Sequence, residues 1–330
     1  MSKMYRVGVV GATGVVGRAL VAILESRRFP VSRLRLLASE RSAGQTLSFR
    51  GESIPVEVLS DATLDDLDIA LFSAGGAVSQ VFCPLAAAKG IVCIDNTSHF
   101  RMDPTVPLVV PEVNPQAIHG HANIIANPNC STAQMMVVLK PIMDAVGLMR
   151  IVVSTYQSVS GAGSEAMQEL ADHTRAYLAG EMLPGKRFPH SIAFNVIPQI
   201  DAFTPTGYTK EELKMIHETK KILGDDTIRV SATTVRVPVF TSHSESINIQ
   251  TRDPISVEAL QSLLLKAPGV RVMTGTDYPT PRDVAGKDDV YVGRIRQDLS
   301  QENGIEMWCV GDNLRKGAAL NAVQIAELLV

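Results

Sequence analysis

The run Tyr5-Arg6-Val7-Gly8-Val9-Val10-Gly11-Ala12-Thr13-Gly14-Val15-Val16-Gly17 decides the fold. Its first six residues have the β-branched character of a buried strand, and a glycine turn follows without a spacer. Val16, Leu20, Ile23 and Leu24 then recur at helical spacing until Pro30 ends the element. Strand, glycine turn and helix in immediate succession form the context in which such glycines cradle a pyrophosphate. They let backbone N–H groups approach the anion at the helix N-terminus and let the helix pack closely on the strand. In another context the same glycines would do no more than make a tight turn.

Further along, Arg33 to Ala38, Asp68 to Ser73, Ile91 to Ile94, Val106 to Val110 and Ile124 to Ala126 read as short apolar strands alternating with helices. That pattern predicts a doubly wound parallel sheet of Rossmann type, with ligands at the carboxyl ends of its strands. Cofactor contacts are therefore expected from Gly11, Thr13, Gly14, Val15 and Val16 at the first turn, and from Ser73 and Gly75 after a later strand. Ser39, Glu40, Arg41 and Ser42 end the second strand, where a dinucleotide's ribose is read. Arg41 with the two serines favours NADP, whereas Glu40 keeps NAD open.

After residue 147 the texture changes. Arg150 to Tyr156, Ile228 to Val239, Ser244 to Thr251, Val290 to Gln297 and Ile305 to Val310 are longer strands, several with period-two alternation. With helices over Ser164 to Leu178 and Thr209 to Leu223, they predict an α+β domain on a mostly antiparallel sheet. A closing helix over Gly317 to Leu329 carries Leu320, Val323, Ile325 and Leu328 to pack on the first domain. The expected division is 1–130 with 316–330 for dinucleotide binding, and 131–315 for catalysis and dimerisation.

Composition narrows the function. The 330 residues are 45% hydrophobic and 20% charged, with a net charge of −3, which supplies no basic field for nucleic acid or an anionic membrane. Ile69 to Ala88 is uncharged and of span length, but Gly75, Gly76, Gln80 and Pro84 make it a strand, a turn and a helix. Cys83, Cys93, Cys130 and Cys309 form no CxxC pair, and the seven histidines show no metal-ligand spacing, so no metal is expected. The chain runs directly into its first strand without a charged-then-apolar leader, which points to the reducing cytoplasm.

One cysteine stands apart. In Asn127-Pro128-Asn129-Cys130-Ser131-Thr132 a strand gives way to a polar turn and then to a helix over Ala133 to Val146. A helix N-terminus favours thiolate over thiol, which suits a nucleophile. The competing reading is a buried, inert cysteine that fills space like a small hydrophobe.

Gly11 to Gly17, Ser98-His99-Phe100-Arg101, Pro128 to Thr132, Gln157 to Gly163, Arg236 and Ser242-His243-Ser244 together resemble aspartate-semialdehyde dehydrogenases, from the first strand to the last helix. The resemblance implies a fold shared with glyceraldehyde-3-phosphate dehydrogenases, and a homodimer or a dimer of dimers. It implies NADP-dependent, phosphorylating oxidation of L-aspartate 4-semialdehyde, run physiologically as reduction of aspartyl 4-phosphate toward lysine, methionine, threonine and isoleucine. Cys130 would be the nucleophile that forms a thioester and His243 its acid and base. Gln157 would touch the substrate, unless it is a polar cap at a strand end. Arg236 would bind the substrate carboxylate, and Arg101, Asn129 and Lys214 the phosphate. In Lys210-Glu211-Glu212-Leu213-Lys214 one acid would meet the substrate ammonium. Glu211 shares a helix face with Lys214 and is preferred to Glu212. Ser160 and Gly161, in a loop whose glycines would serve a turn equally well, together with Asn321 and above all Gln324, would touch the cofactor.

The same fold and mechanism serve N-acetyl-γ-glutamyl-phosphate reductases, which typically carry glycine before the cysteine where this chain has Asn129. A non-catalytic dinucleotide-binding scaffold would tend to lose Cys130, His243 and the arginines independently, and all are present.

Overall fold

The computed structural model describes residues 3–330, and the chain divides into two compact units. The first runs to Asn129 and is resumed by Ala318–Val330. It contains β1 (Tyr5–Val10), α1 (Val15–Ser26), β2 (Val31–Ala38), β3 (Thr46–Phe49), β4 (Glu52–Val58), β5 (Ile69–Phe72), α2 (Gly76–Ala88), β6 (Val92–Asp95) and β7 (Ile124–Ala126). The sheet order is β3-β4-β2-β1-β5-β6-β7. Every pairing is parallel except the β3–β4 hairpin at the edge. Helices cover both faces of the central strands, which is why β5, Ile-Ala-Leu-Phe, is buried at every position.

The helix Leu320–Glu327 belongs to this core. Leu320, Val323 and Ile325 pack with Val7, Val9, Leu20 and Leu71, and each buried aliphatic side chain of this size contributes about 1.5–3 kcal/mol. Leu328, expected on the same face, is instead 40% exposed, and Leu329 packs against this core.

The second unit, Cys130–Gly317, contains α3 (Cys130–Val146), β8 (Leu148–Gln157), α4 (Ser164–Leu178), α5 (Lys210–Leu223), β9 (Arg229–Arg236), β10 (His243–Thr251), α6 (Val257–Leu264), β11 (Val270–Val272), α7 (Pro281–Val284), β12 (Val290–Gln297) and β13 (Gly304–Gly311). Its sheet order is β11-β12-β13-β10-β8-β9. The three central pairings are antiparallel, as expected of a mostly antiparallel sheet, while the outer pairings β8–β9 and β11–β12 are parallel. The chain between β8 and β9 includes α4 and α5, a crossover long enough for parallel return. Helix α5 is bounded as its sequence dictates: Thr209 and Glu212 form a reciprocal capping box, and Gly224 ends it in the left-handed region at φ +67°.

Two further differences from the sequence reading have physical causes. Val106 to Val110 does not form a strand. Only Leu108 bridges to Ala126, while Asn114 takes the Val110 N–H and donates to the Leu108 carbonyl, replacing ladder bonds with a local turn. The β3–β4 hairpin is hard to read from sequence because β3 is short, Pro55 interrupts β4, and only Phe49 and Val56 are buried. Its turn, Arg50-Gly51, has positive φ at both positions, as a two-residue hairpin requires.

Gly17 has no room for a side chain, since a Cβ there would lie 2.1 Å from the Gly11 carbonyl oxygen and 2.7 Å from Ala12 Cα. Gly17→Ala is expected to destabilise the first unit by about 1–3 kcal/mol in urea denaturation and to weaken dinucleotide binding in a fluorescence titration.

Candidate active site

In the first unit a cavity of about 710 Å³ opens at the carboxyl ends of β1 and β2, lined by Gly11, Thr13, Gly14, Ser39, Glu40, Arg41 and Ser73 among others. Helix α1 begins beside it with no side-chain cap and no acidic residue in its first turn, so its N-terminal dipole is left for an anion. Gly11, at φ +85°, packs so tightly that a Cβ would meet the Ser73 carbonyl oxygen at 2.5 Å. Backbone, not side chain, therefore forms this wall, and a dinucleotide's pyrophosphate fits it. Of the other expected contacts, Ser42 accepts a 3.0 Å hydrogen bond from Thr13, Val15 and Val16 open α1, and Gly75 precedes α2 at φ +97°.

The approach to Asn129 is built in the same unit. Arg101 is buried, its Nε donating to the Asn127 carbonyl at 2.8 Å and its Nη2 to the Asn96 carbonyl at 2.8 Å. Asn321 donates to Asn127 Oδ1 at 2.6 Å and to the Val109 carbonyl at 3.0 Å, and Gln324 donates to Glu112 at 2.9 Å. Arg101 and Asn321 thus hold the loop ahead of Asn129, which is buried as well.

In the second unit Cys130 is the first residue of α3 and only partly buried. Gly317 lies so near that a Cβ there would approach Cys130 Cβ to 2.8 Å. Gln157 and Arg236 are paired residues at the ends of β8 and β9, and His243 begins β10, which runs the other way beside β8. Three neighbouring strand ends therefore deliver three polar side chains to one edge of the sheet. Gly161 sits among them: a Cβ there would come within 3.0 Å of Arg236 Nη1 and 3.3 Å of His243 Nε2. A side chain at that position would crowd both groups, which must then shift by a few tenths of an ångström.

Arg236 is 5% exposed; its Nη1 donates to the Ser158 carbonyl at 2.7 Å, while its Nε has no partner among the described residues. Burial lowers its pKa, and the charges of Glu211 and Cys130 oppose that shift, so all three groups share one electrostatic environment. The ring of Phe188 lies 5.8 Å from the guanidinium carbon. Glu211 accepts from Gln157 Nε2 at 3.3 Å and from Lys214 at 3.1 Å. Lys214 is also paired with Asp201 at 2.9 Å; burial lowers its pKa, and the two carboxylates more than restore it. Glu212, by contrast, caps α5 and accepts the Thr234 N–H at 3.0 Å, which commits it to the backbone.

His243 is fully buried. Its Nδ1 accepts the Ser158 backbone N–H at 3.0 Å and lies 3.0 Å from Ser158 Oγ, while Nε2 has no partner among the described residues. A backbone N–H can only donate, so the neutral ring carries its proton on Nε2. Behind it, Asn313 Oδ1 accepts from Ser158, Ser160 and the Ser242 N–H, and Asn313 Nδ2 donates to Ser160. Ser160, expected at the cofactor, is thus buried in this scaffold. The sequence reading missed Ser158 and Asn313, since neither lies in a spacing that signals a role.

Residues 6–121 match the model of the semialdehyde dehydrogenase NAD binding domain, and residues 139–316 that of the semialdehyde dehydrogenase dimerisation domain. The aspartate-semialdehyde dehydrogenase 2 of Vibrio cholerae is 54% identical over 333 residues, covering 100% of this chain and 99% of that protein. The chain belongs to the aspartate-semialdehyde dehydrogenase family. As an aspartate-semialdehyde dehydrogenase it is an oxidoreductase of amino-acid biosynthesis that uses a pyridine nucleotide. A crystal structure of aspartate semialdehyde dehydrogenase II from Vibrio cholerae complexed with ASA superposes with a TM-score of 0.98 at 53% identity, covering 99% of this chain and 98% of that one. The enzyme from Candida albicans, solved with NADP, gives 0.78 at 26% identity over 99% of this chain and 98% of its own. Among the described residues, no helix of this aspartate-semialdehyde dehydrogenase is long and apolar enough to cross a membrane.

Burial, reinforced by the Arg236 charge, lowers the His243 pKa to about 3 from an ordinary 6.5. The unfolded chain thus takes up a proton here across a window in which the folded chain does not, so this site makes stability fall as pH drops through that window. From pH 7 to pH 5 the loss is expected to be about 2 kcal/mol, measured by urea denaturation, and His243→Asn should remove most of it.

Proposed function

We propose that this enzyme catalyses the NADP-dependent, phosphorylating oxidation of L-aspartate 4-semialdehyde to L-aspartyl 4-phosphate, run in the cell as the reduction that feeds lysine, methionine, threonine and isoleucine synthesis. The observation that carries this reading is the buried enclosure around Gly161, where Arg236 and His243 each present an unpartnered nitrogen. Two such groups, at the end of β9 and the start of β10, have no structural use for those nitrogens, whereas a carboxylate and a carbonyl oxygen would satisfy both.

Cys130 attacks the aldehyde carbon as a thiolate, whose charge the α3 terminus and Arg236 favour. The C–S bond forms and the carbonyl electron pair moves onto oxygen. His243 meets that oxygen as a donor through Nε2–H and exchanges protons with it, while Ser158 holds the ring in the donating tautomer. A bound nicotinamide supplies the hydride acceptor. Phosphate then attacks the thioester carbon, the C–S bond breaks, and the Cys130 thiolate returns. Phosphate brings its own proton and releases it to solvent as the acyl phosphate forms.

Arg236 takes the substrate α-carboxylate in a bidentate grip and Glu211 takes the ammonium, with Gln157 bonded to Glu211 and steadying the substrate. Arg101, Asn129 and Lys214 receive the phosphate. In the cofactor cleft Gly11, Thr13, Gly14, Val15 and Val16 face the pyrophosphate, with Ser73 and Gly75 nearby, and Ser160, Gly161 and Gln324 serve the nicotinamide end. Ser39, Arg41 and Ser42 take the 2′-phosphate that distinguishes NADP.

The working form is a cytoplasmic homodimer or dimer of dimers. The dimerisation-domain match supports this, as do the exposed Tyr177, Leu178, Met182 and Phe194, which leave apolar surface uncovered on one chain.

An assay of reduced-cofactor formation tests the reading. Activity should require both phosphate and aspartate semialdehyde and should favour NADP over NAD. Faster turnover of the semialdehyde of N-acetylglutamate would overturn the substrate assignment. Cys130→Ser should lower kcat by at least about 10³-fold while NADP still binds. Arg236→Lys, which loses the planar fork, should raise KM for the semialdehyde by about tenfold or more.

A further inference from the structure

Glu245 lies two residues beyond His243 on β10 and, by strand alternation, on the same face of the sheet. It is 0% exposed. Its cross-strand neighbours are Thr155 on β8 and Cys309 on β13, both fully buried. Neither of its carboxyl oxygens has a hydrogen-bond partner among the described residues. An ionised carboxylate in such a place would bear a desolvation cost of several kcal/mol with nothing to offset it.

A second orphan is nearby. Gln134, from α3, interacts with Glu245; its Nε2 donates to the His243 carbonyl at 3.3 Å, but its Oε1 accepts nothing among the described residues. Gln134 stands four residues after Cys130, one turn along the same helix face. Its position is tightly defined, because a Cβ on Gly311, the residue opposite His243 in the β10–β13 pair, would be 2.7 Å from Gln134 Oε1. Gln134 Oε1 and both Glu245 oxygens lack a hydrogen-bond partner among the described residues, and a proton on the carboxyl would supply the donor that Gln134 Oε1 lacks.

We infer that Glu245 is a positioning residue, held as a neutral carboxylic acid whose hydroxyl donates to Gln134 Oε1, so that a Glu245–Gln134–His243 chain ties the helix bearing Cys130 to the strand bearing His243. This inference rests on the reading of Cys130 and His243 as the working pair. Burial drives the Glu245 carboxyl well above the usual range and outweighs the lowering contact with Gln134, and burial together with Glu245 does the same to the Cys309 thiol, so the two titratable groups facing each other here are both neutral. The acid adds no charge beside the nucleophile. It sets the geometry between helix and strand.

The test uses the full-length enzyme. Glu245→Gln keeps shape and donor, and should hold kcat within about twofold of the parent; Glu245→Met keeps volume, loses the donor, and should lower kcat about tenfold with KM changed less than twofold. The pH midpoint of Cys130 alkylation by iodoacetamide should move in the Met variant and stay in the Gln variant. Infrared spectroscopy of the unaltered protein at neutral pH should show the carbonyl stretch of a buried protonated acid that Glu245→Gln removes. Absence of that band overturns the inference even if the Met variant fails to fold. So does a Gln variant as impaired as the Met variant, or a fully active Met variant. Activity surviving in Cys130→Ser would instead undo the underlying site assignment and leave the infrared result standing.

Discussion

The candidate site depends on the register of three neighbouring strands. Gln157 is paired with Arg236 across β8 and β9, and β10 runs antiparallel to β8 with Ser244 opposite Tyr156. These pairings bring the end of one strand, the end of its parallel neighbour and the start of its antiparallel neighbour to one edge. A slip of one residue in any of them would turn its polar side chain to the opposite face. Bonds outside the ladder guard the register: the Val237 N–H donates to the Gln157 carbonyl, and Ile197 and Arg236 exchange backbone hydrogen bonds.

Burial then gives these side chains their character. Arg236 and His243 sit where water does not reach, so each is defined by the few groups that touch it. For Arg236 those are the Ser158 carbonyl and the field of Glu211; for His243, the Ser158 N–H and hydroxyl. Ser158 thus serves both, its carbonyl aligning the cation and its N–H fixing the imidazole tautomer. Low local polarity strengthens each of these interactions and makes each unsatisfied nitrogen more receptive to a ligand.

The frame of this molecule was legible in the sequence because it follows period and punctuation. The β1-turn-α1 unit announces itself through consecutive valines and spaced glycines, and α5 through Thr209, Glu212 and Gly224. Cys130, Arg236 and His243 were legible as candidates because the residues around them resemble the motifs of one family. The supporting residues were not. Ser158, Asn313, Gln134 and Glu245 act through contacts between segments far apart in the chain, and Ser158 and Asn313 alone are 155 residues apart. Glu245 in particular shares the inward face of Ile247 and Ile249 by alternation, but nothing around it in the sequence signals a role, and its complete burial does. The failed Val106 to Val110 strand belongs with these, since side-chain bonding of Asn114 to the backbone overrode apolar composition there.

The first unit has its own lesson in order of assembly. Its core includes Leu320, Val323 and Ile325, and its loop at Asn127 is fastened by Asn321, 194 residues away. The second unit is one unbroken segment. A chain emerging from the ribosome therefore has every residue of the second unit before it has the last of the first. The cofactor-binding half begins earliest and is completed last. Until then the strands around β1 lack the helix that seals them, so loss of the final turns would impair the half of the molecule that is read first.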